Sequence, residues 1–273
     1  MENKNRKKIG LALGSGGAKG YAHLGVIKVL EKNKIPIDYI SGSSAGAIVG
    51  ALYSLHQNID EVEKIITDFN KIKSLVDISF KGGIFKGKKV ANFLDNIFKD
   101  KEIQDLDIPL CIVATDYKTG EQVRIRKGNV ALALRASMTI PFMFELVKYK
   151  KRELADGGLS SPVPVAVLRD MGADIIIGVR IEDKIGQGKK NIYAMAERSV
   201  SILQHNLSNW ELKDADILID PYFEDYGILG FYKIFQGKVE ETIKEGERAA
   251  EVNMAEIKSA IRGGKDVPGI YKL

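Results

Sequence analysis

The 273-residue chain predicts a single α/β domain built on a mostly parallel central sheet with helices on both faces. Three observations carry that expectation. Short apolar runs alternate with helix-periodic stretches along the chain. Two of those runs pass through glycine-rich turns straight into apolar helix patterns. No repeat, low-complexity tract or linker divides the chain. The expected domain spans 1–273, with a core over about 8–165 and a strand–helix part of the same domain over about 166–273.

The first strand is Lys8-Ile9-Gly10-Leu11-Ala12-Leu13, which runs into Gly14-Ser15-Gly16-Gly17-Ala18-Lys19-Gly20. A helix pattern follows, with Leu24, Ile27 and Leu30 on one face. A glycine-rich turn between strand and helix presents several backbone N–H groups at the positive end of a helix, which makes it an anion site. The anion is a nucleotide phosphate or the transient oxyanion of an acyl transfer. No Gly-Lys-Ser/Thr follows, as a phosphate loop requires. Ser15 also stands where a dinucleotide fingerprint ending at Gly20 needs its first glycine. The oxyanion reading is favoured.

The second strand is Ile37-Asp38-Tyr39-Ile40-Ser41, and its turn reads Gly42-Ser43-Ser44-Ala45-Gly46 before an apolar helix that continues to Tyr53. Gly-x-Ser-x-Gly between strand and helix is a nucleophile elbow. The serine takes a strained backbone conformation that lifts its hydroxyl above the sheet, and Gly42 and Gly46 remove Cβ atoms from the bend. Further on, Asp156-Gly157-Gly158 follows the segment 145–155. Asp-Gly is a common hairpin turn, but a serine nucleophile needs a base and Asp156 is placed to be one. Pro162 and Pro164 then lead into a helix over 165–170, a strand over 174–179, a polar loop over 184–190 and a long amphipathic helix from about Asn191 to Lys213.

The glycine-rich loop, the Gly-Ser-Ser-Ala-Gly elbow and the later Asp-Gly-Gly, in this order, resemble the patatin-like phospholipases, in particular compact bacterial members. The segments 17–26, 82–87, 134–141 and 215–221 look like family segments too, so the resemblance covers about residues 8–250. It implies a three-layer sandwich related to the α/β-hydrolases and a serine hydrolase of lipid acyl esters. It also implies a Ser–Asp dyad with no catalytic histidine. By position, Ser44 is the nucleophile, Asp156 the base, and the backbone of Gly16, Gly17, Ala18 and Lys19 the oxyanion hole. Ser15 departs from the family's usual glycine, and Lys19 from its commoner arginine. Arg135, within the family-like segment, is a candidate for binding a head group, with a structural ion pair as the favoured alternative.

Only three histidines are present, His23, His56 and His205. Ser44, Asp156 and His205 satisfy the chain order of a conventional triad, which would suit a small-ester or thioester hydrolase. His205, however, falls inside a helical pattern, whereas triad histidines usually sit on loops. His23 opens a helix, where it is expected to bond a backbone group, and His56 ends the elbow helix, where a cationic ring complements the dipole. Without histidine, Asp156 takes the Ser44 proton itself. A carboxylate of ordinary pKa, about 3.9, is a weak base for that task. The deficit falls to a dry site and to oxyanion donors worth about 3–4 kcal/mol each. No cofactor is called for, and no His/Cys spacing suggests a metal.

The net charge is +5, with lysine far outnumbering arginine. Nothing in the pattern suggests a nucleic-acid module. Two basic clusters, Lys81–Lys89 with Phe80 and Phe85 interleaved and Lys148–Arg152, would suit peripheral contact with an anionic membrane. No stretch approaches a spanning helix, and the N-terminal apolar run is too short for a signal peptide. The expected location is cytoplasmic. Cys111 reads as a buried core thiol, the segment 79–87 as a flap or a plain connecting loop, and Trp210 as core or edge packing. A non-catalytic anion- or nucleotide-binding module using the 14–20 loop is the remaining alternative.

Overall fold

The computed structural model describes residues 6–71, 88–141, 143–182, 192–223 and 238–263. Its strands are β1 (Ile9–Leu13), β2 (Tyr39–Ser43), β3 (Leu110–Asp116), β4 (Gln122–Ile125), β5 (Val147–Tyr149), β6 (Arg152–Ala155), β7 (Ile175–Val179) and β8 (Ile217–Ile219). They form one sheet, linked through neighbouring strands in the order β5-β6-β3-β2-β1-β7-β8, with β4 also on β3. The five strands from β3 to β8 in that order run parallel. The others pair antiparallel.

Side chains on the parallel strands alternate between two cores, as the period of two demands. Ile9, Leu11 and Leu13 of β1, with Ile175, Ile177 and Val179 of β7, enter the larger core. Ala12 and Ile176 face the smaller one. Helices α1 (Tyr21–Lys32), α2 (Ala45–His56), α3 (Ile59–Lys71), α4 (Lys88–Phe98) and α5 (Val130–Ser137) contribute side chains to the larger core. Helix α6 (Val165–Met171) covers the other face. The doubly covered parallel sheet explains why β1 and β7 read as unbroken apolar runs.

Two long helices complete the described chain, α7 (Ile192–Glu211) and α8 (Val239–Ile261). Helix α8 lies hard against α1: a Cβ on Gly25 would fall 2.0 Å from the Ile243 carbonyl, and one on Gly246 2.0 Å from that of Ala22. The expected 165–170, 174–179 and 191–213 elements are present with shifts of one or two residues at their ends. The second strand begins two residues later than expected, at Tyr39, and carries on to Ser43. Of its polar end residues, Ser41 donates its hydroxyl to the Pro164 carbonyl at 2.8 Å. The polar loop 184–190 and the flap segment 79–87 lie outside the described residues.

Candidate active site

The pairing around β3 brings the predicted residues together. Val113 is paired with both Ser43 and Arg124, and Thr115 with both Gln122 and Ala155. A strand residue has one neighbour on each edge, so β4 occupies one edge of β3 while β2 and β6 share the other, end to end. Strand β2 runs along that edge and stops at Ser43. Strand β6 runs back along it in the opposite sense and stops at Ala155. The next residues are Ser44 and Asp156, which therefore meet head-on above the same strand. The Ser44 hydroxyl donates to Asp156 Oδ2 at 2.6 Å.

Ser44 sits at φ 51°, ψ −117°, between β2 and α2. A positive φ on a non-glycine residue costs on the order of 1–3 kcal/mol and persists only where the surroundings enforce it. Those surroundings are the two glycines. A Cβ on Gly42 would lie 2.6 Å from the Ala47 backbone, and one on Gly46 2.1 Å from the Leu13 carbonyl. Only glycine lets the turn close this tightly on the neighbouring strand.

Three hydroxyl residues outside the expected set fix the pair. Ser137, at the end of α5, accepts the Ser44 N–H at 2.9 Å and donates its own hydroxyl to the Val113 carbonyl at 2.6 Å. Thr115 donates to the Asp156 carbonyl at 2.7 Å and lies 2.8 Å from the Ser160 hydroxyl. The Asp156 N–H donates to the Thr139 carbonyl at 2.8 Å. Serine and threonine carry no pattern that would distinguish these roles, although Ser137 falls within the segment 134–141 that resembles the family.

The pair is dry, with Ser44 7% and Asp156 5% exposed. Burial lifts the Asp156 carboxyl from 3.8 to about 6, against the hydrogen bonds from the Ser44 hydroxyl and from the Gly158 N–H at 2.8 Å. A carboxyl titrating near 6 is far better matched to proton transfer at neutral pH than an ordinary one. A Cβ on Gly158 would meet Ser15 Oγ, Gln204 Nε2 and Asp156 Oδ1, all within 3.0 Å. Ser15 and Gln204 therefore border Gly158, whose N–H the carboxylate accepts.

The glycine-rich loop stands beside the elbow because β1 and β2 are parallel neighbours, with Leu13 opposite Gly42. Both turns leave the carboxyl edge of the sheet, where open α/β sheets bind ligands. The loop is pinned by Gly14 N–H to the Val179 carbonyl (3.0 Å) and Ser15 N–H to that of Pro162 (2.8 Å). Gly17 adopts φ 57°. Among the described residues, the N–H groups of Gly17 and Ala18 have no backbone acceptor, whereas that of Lys19 is turned to the Gly16 carbonyl at 3.2 Å.

Each histidine faces a group other than Ser44 and Asp156. His23 is fully buried with Nε2 2.9 Å from the Gly14 carbonyl, and burial lowers its pKa to about 4, so it stays neutral. His56 faces Glu61 at 3.1 Å, and His205, on α7, faces Glu182 at 3.3 Å. Arg135 is half-buried on α5, and among the described residues its guanidinium forms no ion pair. Cys111 is buried, as expected. Trp210 corrects an expectation: it is 65% exposed, not packed in the core or at its edge.

An α/β domain with a buried carboxylate bonded to an elbow serine beside a glycine-rich loop defines a class, and comparison with known proteins gives the family. The family model for patatin-like phospholipase matches residues 11–169, and the chain belongs to that family. An uncharacterized NTE family protein of Mycobacterium tuberculosis is 36% identical over 184 residues, covering 66% of this chain and 51% of the relative. Patatin-like phospholipase domain-containing protein 6 of Homo sapiens is 30% identical over 213 residues, covering 75% of this chain and 15% of its own length. The chain thus spans about half of the one relative and a small part of the other. The crystal structure of VipD from Legionella pneumophila shares the fold, with a TM-score of 0.53 at 13% identity over 98% of this chain and 81% of that one. Among the described residues, no helix is long and apolar enough to cross a membrane.

Proposed function

We propose that the protein hydrolyses acyl esters of lipids through an acyl-enzyme formed on Ser44, with Asp156 as the base and no histidine. The observation that carries the reading is the 2.6 Å bond from the Ser44 hydroxyl to a carboxylate that burial has raised to about 6. Ser44 Oγ attacks the ester carbonyl as its proton passes to Asp156 Oδ2. Negative charge develops on the carbonyl oxygen and is met by the N–H groups of the Gly16–Ala18 turn. The tetrahedral species collapses, and Asp156 returns the proton to the departing alcohol. Water then attacks the acyl-serine, again delivering a proton to Asp156, which passes it to Ser44 as the acid leaves.

The family supports lipid as the substrate class. The exposed Lys148, Lys150 and Lys151 support loose contact with anionic membrane; the fourth cation of that run, Arg152, lies 3.3 Å from both Asp116 and Glu121. A cosedimentation assay with anionic and neutral vesicles reads this directly. The proposal requires binding to the anionic ones only, declining as salt shortens the Debye length from about 10 Å at 0.1 M to about 3 Å at 1 M. A substrate panel from p-nitrophenyl butyrate to a lysophospholipid tests the reaction. Turnover of the lysophospholipid supports the proposal, turnover of short esters alone favours a small-ester hydrolase, and no turnover at all favours a binding module.

A further inference from the structure

Helix α7 ends on a buried carboxylate. Glu211, its last residue, is only 9% exposed. It accepts the hydroxyl hydrogen of Ser161 on one oxygen and the N–H of Val163, at 2.9 Å, on the other. Between those two residues stands Pro162, whose carbonyl accepts the Ser15 N–H at 2.8 Å. A carboxyl in this place is costly: burial and the nearby Glu182 push it up to about 7, and no cation pairs with it among the described residues. The two bonds it makes flank one of the two carbonyls that pin the loop. Proline adds stiffness to that link, since its ring fixes φ.

We infer that Glu211 is a positioning residue, clamping the 161–163 strap so that the Pro162 carbonyl sets the height of Ser15 and, through it, of the Gly16–Ala18 amides over Ser44. The inference rests on the proposed hydrolysis for its kinetic consequence. Its geometric content stands apart from that reaction. A buried glutamate placed to bridge a hydroxyl and an amide is replaceable by glutamine, whose carbonyl accepts from Val163 and whose amide nitrogen donates to the Ser161 oxygen. Alanine replaces neither bond.

The test compares Glu211→Ala, Glu211→Gln and Ser161→Ala in the full chain. With p-nitrophenyl butyrate, Glu211→Ala should lower kcat by tenfold to a hundredfold at a KM within about twofold of wild type, because misplacement of about 1 Å in the reacting groups costs on that order. Glu211→Gln should restore most of the rate, and Ser161→Ala, which removes one of the two bonds, should fall between. Amide hydrogen exchange at Ser15 gives a readout that does not need activity: protection should drop by about tenfold or more in Glu211→Ala and stay near wild type in Glu211→Gln. If the wild type proves inactive, exchange at Ser15 still decides the geometric claim. Wild-type kcat with a lowered Tm in Glu211→Ala would overturn the inference in favour of a purely structural clamp. A Glu211→Gln variant as slow as Glu211→Ala would overturn it too, since the charge rather than the placement would then be at work. Should Glu211→Ala fail to fold, Ser161→Ala carries the same comparison: an unchanged rate and unchanged Ser15 protection would overturn it.

Discussion

Helix α2 follows Ser44 and helix α7 brings Gln204 to Gly158, two residues after Asp156, and the two helices bury opposite kinds of surface. Helix α2 follows the elbow with Ala47, Val49, Ala51 and Leu52 all buried, an apolar helix held between strands and neighbouring helices. Helix α7 turns polar residues inward. Ser208 donates to Glu182 at 3.0 Å, Asn209 accepts from Arg180, and Glu211 holds the strap. Its outward face carries large apolar side chains among polar ones, with Leu203 68% and Trp210 65% exposed. An apolar stripe at helical spacing usually marks the side that meets the core. On α7 Leu203 and Trp210 depart from that rule, and Ser208, Asn209 and Glu211 make the inward contacts.

The same contrast separates what could be read from the sequence and what could not. The elbow is legible because its constraint is local and chemical: a tight strand-to-helix turn that touches Leu13 and Ala47 requires glycine at 42 and 46, and the pattern shows it. Asp156 is half-legible, since Asp-Gly-Gly equally spells a turn. Ser137, Thr115 and Thr139 are not legible, because their roles depend on β2 and β6 meeting along one edge of β3, a long-range fact that leaves no mark on neighbouring residues. Glu211 is hidden for the same reason. Trp210 was legible as an apolar residue on a helix, and misplaced because the polar partners of α7 come from distant strands and loops.

The largest expected effects lie at the pair itself. Ser44→Ala and Asp156→Asn should each reduce kcat for ester hydrolysis by about a thousandfold or more with the fold intact, and the double variant should lose little further, since residues acting as a unit share one transition state. Steady-state rates alongside thermal melts check this. Additive losses would mean the two residues act in separate steps.

Next comes the glycine-rich loop. Gly17→Val should lower kcat by about a hundredfold, because φ 57° strains any β-branched residue and the turn would shift its amides. Lys19→Ala should cost much less, its N–H being turned to Gly16. The reverse order, with Lys19→Ala inactive and Gly17→Val active, would make the loop a side-chain cation site.

The pH dependence separates activity from stability. Asp156 accepts a proton only when ionised, so kcat/KM should rise through an apparent pKa of about 6 and level off above it. Stability runs the other way. The folded carboxyl titrates at about 6 against 3.8 in its ordinary state, so its cost is absent below about pH 3.8 and complete above 6. A shift of that size is worth on the order of 3 kcal/mol. Asp156→Asn should therefore melt several degrees above wild type at pH 8 and converge with it near pH 4. Equal melting points at pH 8 would mean that the buried charge carries no such cost.

The smallest effect sharpens the contrast between the two helices. Leu203→Ser on α7 should change stability by no more than about 0.5 kcal/mol, as exposed substitutions do. Val49→Ser on α2 should cost about 2–4 kcal/mol, through lost burial and an unpaired hydroxyl. Chemical denaturation of the two variants gives both numbers. A large loss in Leu203→Ser would show that the outward face of α7 is packed against something in solution.

The central claim is that Ser44 reacts with Asp156 as its only base. Fluorophosphonate labelling followed by intact mass, run on wild type, Ser44→Ala, Asp156→Asn and His205→Ala, tests it most directly. A single adduct on the wild type, none on Ser44→Ala, a rate reduced by orders of magnitude in Asp156→Asn, and a near-wild-type rate in His205→Ala is the predicted result. Loss of labelling in His205→Ala comparable to that in Ser44→Ala, with the variant folded, would contradict the account and restore the histidine triad.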